Sequence, residues 1–306
     1  MTRATLLTAS LAALLVAAAL PLAGADPHPT DKVGPGTQLS ISWSGADRGG
    51  HTVNTVGRGT DRFCTANWVW KDQAGKMYLG TAGHCLVPLG KTTAPGPDFV
   101  DTSNVRVFAC RSACVLGGFA GYYQSNAAIA GPASDWVELG PVAYATFSAS
   151  SVADDFGILE IPASLYADVS PDLKGWGGPV GSAPVAGNDV LVLHGAGSLV
   201  AETLATKSRA GVFDPPSGTA VWVGAVASYG GDSGGPVGKL VVSGPDAGKV
   251  QAVGYLTRAS GCSDACPKAQ GPTVLSAVNV AHQASLCLEL VLAGHDLATE
   301  PPAAAC

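Results

Sequence analysis

The stretch Gly230-Gly231-Asp232-Ser233-Gly234-Gly235-Pro236 is the most informative part of the 306-residue sequence. Glycine reaches backbone conformations that other residues avoid, so this loop can turn sharply and let a ligand lie against its amides. A serine there exposes its hydroxyl beside backbone N–H groups, which suits acyl transfer: a nucleophile together with donors for the oxyanion. The same composition suits an ordinary turn between strands. The decision depends on a histidine and a carboxylate elsewhere in the chain.

The composition favours a folded, loop-rich and β-dominated protein. Hydrophobic residues make up 47% of the chain and charged residues 13%, with 40 glycines and 21 prolines, which argues against disorder. The formal net charge of −6 and the lack of a basic run argue against a nucleic-acid partner.

The first 25 residues have the organisation of a secretion signal. Arg3 precedes a nearly uniform apolar run over residues 6–20, and Ala23-Gly24-Ala25 provides the small-residue cleavage pattern. We expect cleavage after about Ala25 and a secreted, extracellular protein. A membrane anchor is disfavoured because the apolar run is short and no second basic flank follows it.

Eight cysteines remain after this segment, an even number that predicts four disulfides in an exported protein. The simplest pairing closes the local loops Cys110–Cys114 and Cys262–Cys266 and leaves Cys64–Cys85 and Cys287–Cys306. The alternative, in which the two local pairs bind a metal, is disfavoured because no histidine is nearby.

Short alternating segments between glycine-rich turns predict a β-barrel or a β-sandwich. The clearest predicted strands are 39–43, 63–70, 77–82, 105–109, 136–139, 155–161, 190–194, 220–223, 239–242 and 250–256. Apolar residues at helical spacing predict a C-terminal helix over 274–292. A Gly/Pro/Ser-rich segment at 174–188 indicates a boundary between two halves. The predicted division is a signal at 1–25, a leader at 26–60, a first half at 61–173, and a second half at 174–306 with the helix and an irregular tail.

Three histidines are candidate general bases. His84 follows a predicted strand in the small-residue setting Thr81-Ala82-Gly83-His84-Cys85, where a Cys64–Cys85 bridge would hold it. His194 also ends a predicted strand and is the rival, whereas His282 lies on the predicted helix.

Asp155 is the preferred carboxylate because it directly heads an apolar strand. Asp154 and Asp135 are the alternatives to it.

The segments 81–85, 155–159 and 231–236 together resemble the three signatures of the chymotrypsin/trypsin family of serine endopeptidases, in the family's order His, Asp, Ser. The His and Ser motifs are specific, and the Asp motif is weak alone. The resemblance covers about residues 60 to 290. It implies an all-β fold of two antiparallel β-barrels, to which the predicted C-terminal α-helix is added, with the active site in the cleft between the barrels.

The resemblance also implies a role for each matching residue. Ser233 would be the nucleophile, His84 the general base, and Asp155 the acceptor of the other imidazole N–H. The N–H groups of Gly231 and Ser233 would form the oxyanion hole. Substrates would be polypeptides, and we expect a monomer with no cofactor, metal, nucleic-acid or membrane partner.

Two departures from the family affect specificity and activation. The pocket positions carry Ala227, Ser228 and Tyr229, and the absence of an acid there predicts a small or apolar residue before the cleaved bond rather than a basic one. No Ile-Val-Gly-Gly type sequence lies between residues 26 and 64. The chain is therefore closer in style to bacterial secreted members, in which an internal cation, here Arg209 or Arg258, can pair with the acid before the serine.

Two other functions stay open at this point. A homologue without catalytic activity could bind protein through the same cleft. An esterase or amidase could use the same triad, because it catalyses acyl transfer as an endopeptidase does. The complete set of His84, Asp155 and Ser233 argues against the homologue without activity, whereas activity on denatured protein rather than on small esters alone would separate the endopeptidase from the esterase.

Overall fold

The structure, a computed structural model, describes residues 31–43, 62–87, 105–111, 116–117, 128–129, 136–197, 207–214, 218–260 and 266–306. The predicted signal segment and Asp135 lie outside these ranges. The predicted pairs Cys110–Cys114 and Cys262–Cys266 each include a residue outside them. Within the described ranges, no helix is both long and apolar enough to cross a bilayer.

Strands are the commonest regular structure among the described residues, which also contain two short α-helices and one 3₁₀ helix. In chain order the elements are β1 (Gln38–Trp43), β2 (Arg62–Thr65), β3 (Val69–Lys71), β4 (Met77–Thr81), α1 (Gly83–Leu86), β5 (Val105–Cys110), β6 (Leu116–Gly117), β7 (Ala128–Ile129), β8 (Trp136–Glu138), β9 (Val142–Thr146), β10 (Phe156–Glu160), a 3₁₀ helix (Ala163–Asp168), β11 (Val190–His194), β12 (Ser208–Phe213), β13 (Val221–Ser228), β14 (Pro236–Leu240), β15 (Val250–Tyr255), β16 (Arg258–Ser260), β17 (Cys266–Pro272), α2 (Val274–Gln283) and β18 (Glu289–Leu290).

The first half of the chain closes into an antiparallel barrel. Two sheets, in the orders β2-β1-β5-β8 and β18-β3-β4-β10-β9, face each other across one core. They join along both sides, because Asn67 N donates to Gly80 O at 2.7 Å and Gly140 N donates to Glu160 O at 2.8 Å. Fully buried residues from both sheets fill the interior, including Leu39, Ile41, Leu79 and Leu159.

The second half is a seven-stranded antiparallel sheet in the order β15-β14-β11-β12-β13-β17-β16. A bridge between Gly254 of β15 and Thr273, just after β17, joins the β15 end of this sheet to the strand next to its other end and closes a second barrel. Its core contains Leu191, Trp222 and Val237. The predicted fold class, all-β with two antiparallel barrels and a C-terminal helix, is confirmed.

Residues 26–60 were predicted to be a leader, and the structure corrects this for their described part. Strand β1 pairs with β2 on one side and with β5 on the other, so it lies in the interior of the first sheet. Leu39 and Ile41 are fully buried in the barrel core. The Gly- and Pro-rich flanks concealed how apolar one face of this strand is.

The C-terminal region also differs from the prediction. Helix α2 ends at Gln283, well before residue 292, because the chain turns at Ser285, whose φ is +62°. The following residues form β18, which pairs with β3 of the first barrel, and Ala303 N donates to Asp72 O at 2.8 Å. The described tail has no helix or strand after β18, and it lies on the first barrel rather than with the second.

Two of the four predicted disulfides, Cys64–Cys85 and Cys287–Cys306, are confirmed. The first joins β2 to α1, and the second joins Cys306 to the segment after α2.

The predicted strand 63–70 is interrupted between β2 and β3, where the N–H of Asn67 donates to the carbonyl of Gly80.

Candidate active site

His84 and Asp155 are held together by two hydrogen bonds. The backbone N–H of His84 donates to Asp155 Oδ1, and His84 Nδ1 lies 2.8 Å from Asp155 Oδ2. Asp155 immediately precedes β10 and its side chain is 1% exposed, whereas the His84 side chain is 12% exposed. With Nδ1 engaged by the carboxylate, Nε2 is the ring nitrogen left for proton transfer. Phe147 packs edge-on against the imidazole, with ring centroids 5.8 Å apart.

Ser233 is brought against the same segment of the first barrel. Its carbonyl oxygen accepts from Thr65 N at 2.8 Å and lies 3.8 Å from the Sγ of Cys85, the neighbour of His84. The Cys64–Cys85 disulfide therefore fixes the strand and the helix between which the serine loop is placed. Ser233 is 8% exposed.

The loop around Ser233 has the conformation that its glycines allow. Gly231 has a φ of +99°, and its carbonyl accepts from Thr65 Oγ1 at 2.9 Å. The N–H groups of Gly231 and Ser233 donate to no acceptor in the described part of the chain. Gly234 N donates to Leu256 O at 2.6 Å and anchors the far side of the loop. Two backbone donors are thus available beside the serine, as an oxyanion hole requires.

Asp232 is fully buried and paired with Arg209. Arg209 Nη1 donates to Asp232 Oδ2 at 2.6 Å, and Nη2 donates to Oδ1 at 2.9 Å. The backbone N–H groups of Gly197 and Tyr229 supply two further hydrogen bonds to this carboxylate. A side chain at Gly195 would collide with both Asp232 and Arg209. Of the two cations considered from the sequence, Arg209 is the partner of the acid before the serine.

The predicted pocket residues lie next to this ion pair. Ala227 O accepts from Arg209 Nη1 at 3.1 Å. The Cζ atom of Arg209 lies over the ring of Tyr229, 5.2 Å from its centroid. Ser228 between them is fully buried, while Ala227 and Tyr229 are partly exposed. Arg209 therefore supports the segment 227–229 as well as the loop, a second contact that no sequence signal indicated.

The rival residues lie in other environments. His194 is 1% exposed, and its Nδ1 lies 2.9 Å from Ser208 Oγ on the neighbouring strand. His282 is exposed on α2, and Asp154 is partly exposed. Asp155, by contrast, receives both hydrogen bonds from His84.

Behind the carboxylate lies a buried tyrosine that the sequence did not indicate. Tyr255 packs on Phe156 with ring centroids 5.7 Å apart, and its hydroxyl has no hydrogen-bond partner within the described residues. Burial raises the pKa of Tyr255 well above its ordinary value, and the charge of Asp155 raises it further. The hydroxyl of Thr257 is likewise buried without a partner there.

In the described part of the chain, two groups of side chains lie close enough together to bind a metal ion. They are Cys64 with His84 and Cys85, and Cys287 with His282 and Cys306. In each group the two cysteines form a disulfide, so neither supplies the thiolate that a metal requires. Each group therefore keeps a single possible metal ligand, its histidine.

No protein-family model and no curated protein sequence matches the chain. Several solved structures are similar to it. Protease A from Thermobifida fusca has 17% sequence identity and a TM-score of 0.46, covering 85% of this chain and 98% of its own. The chymotrypsin of Cellulomonas bogoriensis has 16% identity and a TM-score of 0.41, covering 85% of this chain and 99% of its own. Nocardiopsis protease has 16% identity and a TM-score of 0.42, covering 75% of this chain and 93% of its own.

Proposed function

We propose that this protein is a secreted serine endopeptidase that cleaves polypeptides through a Ser233–His84–Asp155 triad. The observation that carries the proposal is the pair of hydrogen bonds from His84 to the buried carboxylate of Asp155, beside the Ser233 loop. A carboxylate so placed fixes the imidazole tautomer and stabilises the imidazolium that forms when the serine is deprotonated.

In this mechanism Ser233 Oγ attacks the carbonyl carbon of the substrate while His84 Nε2 accepts the hydroxyl proton. The oxyanion is stabilised by the N–H groups of Gly231 and Ser233. His84 then donates the proton to the departing amine, which leaves an acyl-enzyme. A water molecule attacks the acyl group, His84 accepts its proton, and the proton returns to Ser233 Oγ as the carboxylic acid product forms.

The segment 227–229 would line the pocket for the residue before the cleaved bond. It contains no acidic residue, which favours small or apolar side chains over basic ones. The chemistry requires no cofactor or metal, and we propose a monomer that acts outside the cell after removal of residues 1–25. The two disulfides fit an oxidising compartment.

The first test is labelling of the purified, oxidised protein with a fluorophosphonate, followed by peptide mass mapping. We expect an adduct on Ser233 that is lost in Ser233→Ala. Ser208→Ala is the matched control, because Ser208 also lies within hydrogen-bond distance of a histidine and should leave the labelling unchanged. Labelling of Ser233→Ala at the wild-type rate would overturn the assignment.

The substrate class is tested by comparing a denatured protein with small esters. An endopeptidase cleaves internal bonds of the protein, and this cleavage disappears in Ser233→Ala. Hydrolysis of esters alone would indicate an esterase. Neither labelling nor hydrolysis, in protein with intact disulfides and after limited proteolysis, would indicate a binding module.

A further inference from the structure

Arg258 lies beside the candidate active site and carries a charge to which the mechanism above assigns no role. It begins β16, two residues after Leu256. The N–H of Leu256 donates to Gly235 O at 2.8 Å, and its carbonyl accepts from Gly234 N at 2.6 Å. Arg258 therefore follows directly on the segment that is bonded to the Ser233 loop.

The guanidinium of Arg258 reaches across to the first barrel. Its Nη2 lies 3.2 Å from Ser148 O and 2.7 Å from Ala149 O, and donates to both. These two residues follow Phe147, whose ring packs against His84. The side chain consequently spans the two barrels next to the proposed general base.

This cation has no acidic partner among the described residues. Arg106, Arg111 and Arg209 each pair with a carboxylate, whereas the two bonds of Arg258 go to neutral carbonyls and use only Nη2. The side chain is partly exposed. A guanidinium has five N–H donors in a planar fork that matches a carboxylate, so the donors on Nε and Nη1 are left for a ligand.

The strand that carries Arg258 is also able to receive a peptide. In the described sheet β16 is the last strand and pairs only with β17, which leaves one edge without a strand partner. An extended peptide can add to such an edge through main-chain hydrogen bonds, with its side chains meeting the residues beside it. A peptide lying along β16 towards Ser233 would carry a side chain past Arg258.

We propose that Arg258 selects substrates that carry an aspartate or glutamate within three residues of the cleaved bond. The inference rests on the proposed endopeptidase function and adds a substrate class to it, namely acidic peptides. Attraction would come from a charge-assisted hydrogen bond between the guanidinium and the substrate carboxylate.

The test uses internally quenched peptides in which Glu, Gln or Lys is placed in turn at each of three positions on either side of the cleaved bond. At one position or more, we expect kcat/KM for Glu to exceed that for Gln by roughly tenfold, with Lys the poorest. The Glu/Gln ratio should decrease as salt is added, because salt screens a partly exposed ion pair.

Variants separate recognition from a structural role. Arg258→Gln keeps an amide donor for the carbonyls but loses the charge, so the Glu/Gln ratio should fall to about one, and Arg258→Lys should retain part of the ratio. Arg106→Gln changes the net charge equally at an exposed site of the first barrel and should keep the ratio.

Equal rates for Glu and Gln peptides in the wild type would overturn the inference. An equal loss for all peptides in Arg258→Gln would also overturn it, since Arg258 would then be only a bridge between the barrels. Neither result would contradict the proposed endopeptidase function. If no peptide is cleaved and Ser233 is not labelled, the proposed function fails and this inference fails with it.

Discussion

Arg209 donates a hydrogen bond to each oxygen of the Asp232 carboxylate and so forms a bidentate ion pair with it. Asp232 is the residue directly before the proposed nucleophile, Ser233. The carboxylate is fully buried and the Arg209 side chain is 11% exposed. Since the N–H groups of Gly197 and Tyr229 bind the same carboxylate, the pair connects three separate segments of the second barrel. The conformation of the serine loop thus depends on a cation from β12.

We predict that Arg209→Met destabilises the protein by about 3–5 kcal/mol, because it leaves a buried carboxylate without its counter-charge. Fluorophosphonate labelling of any folded fraction should slow, since Asp232 is free to move with the loop. Denaturant unfolding and labelling rates check this. Arg106→Met removes an exposed ion pair and should cost at most about 1 kcal/mol. Wild-type unfolding and labelling in Arg209→Met would contradict the prediction.

Asp155→Asn should leave the fold intact and slow labelling of Ser233 by about 10³- to 10⁴-fold, because an amide no longer holds the imidazole in the required tautomer. The adjacent change Asp154→Asn is the matched control and should alter the rate less than twofold, since both hydrogen bonds of His84 go to Asp155. Equal effects of the two substitutions would contradict the role given to Asp155.

Glu300 should stabilise the protein in a pH-dependent way. Its burial alone would raise its pKa, but hydrogen bonds from Lys71 and His295 outweigh this and lower the pKa below the usual 4.5. The native state therefore binds fewer protons than the unfolded state as the pH falls below about 4.5, and the stabilisation is lost through the folded pKa.

We accordingly predict that Glu300→Gln lowers the free energy of unfolding by about 2–3 kcal/mol at pH 7, because the Lys71 side chain, 5% exposed, keeps only the more exposed Glu289. The difference from wild type should shrink below pH 4.5. Glu138→Gln, at an exposed ion pair, should cost at most about 1 kcal/mol. A difference that grows on acidification would show that the sign is wrong.

Tyr255→Phe should raise the free energy of unfolding by about 1 kcal/mol, because it removes a buried hydroxyl that lacks a partner in the described structure. Tyr144→Phe offers a close comparison, since the Tyr144 hydroxyl donates to Val280 O at 3.5 Å and its loss should destabilise slightly. Destabilisation by Tyr255→Phe would indicate that the hydroxyl has gained a partner in solution.

The sequence allowed much of this fold and site to be predicted because short motifs with strict local requirements mark them. Glycine at 231 meets a positive φ, and the pairings 64–85 and 287–306 are those that remain once the local pairs 110–114 and 262–266 are closed. Contacts between distant segments were less accessible. Two arginines were possible partners of Asp232, and only the three-dimensional placement of β12 separates them.

The helix prediction was too long for a related reason. Residues 284–292 continue the apolar spacing of α2, but the chain pairs with β3 through β18 and Val291 is buried in the core of the first barrel. The spacing of apolar residues indicates which side chains are buried, but it does not indicate which element they pack against. Residues 26–60 were assigned to a leader for a different reason, the Gly- and Pro-rich flanks of β1.

The pairing of β18 with β3 has a consequence for how the protein acquires its structure. The first barrel includes residues that are made after every strand of the second, and the Lys71 ammonium within it is compensated by Glu300. A nascent chain that ends before residue 289 cannot complete this barrel, although it contains all of the strands from β1 to β10. We therefore expect the first barrel to be completed only after the strands of the second have been made.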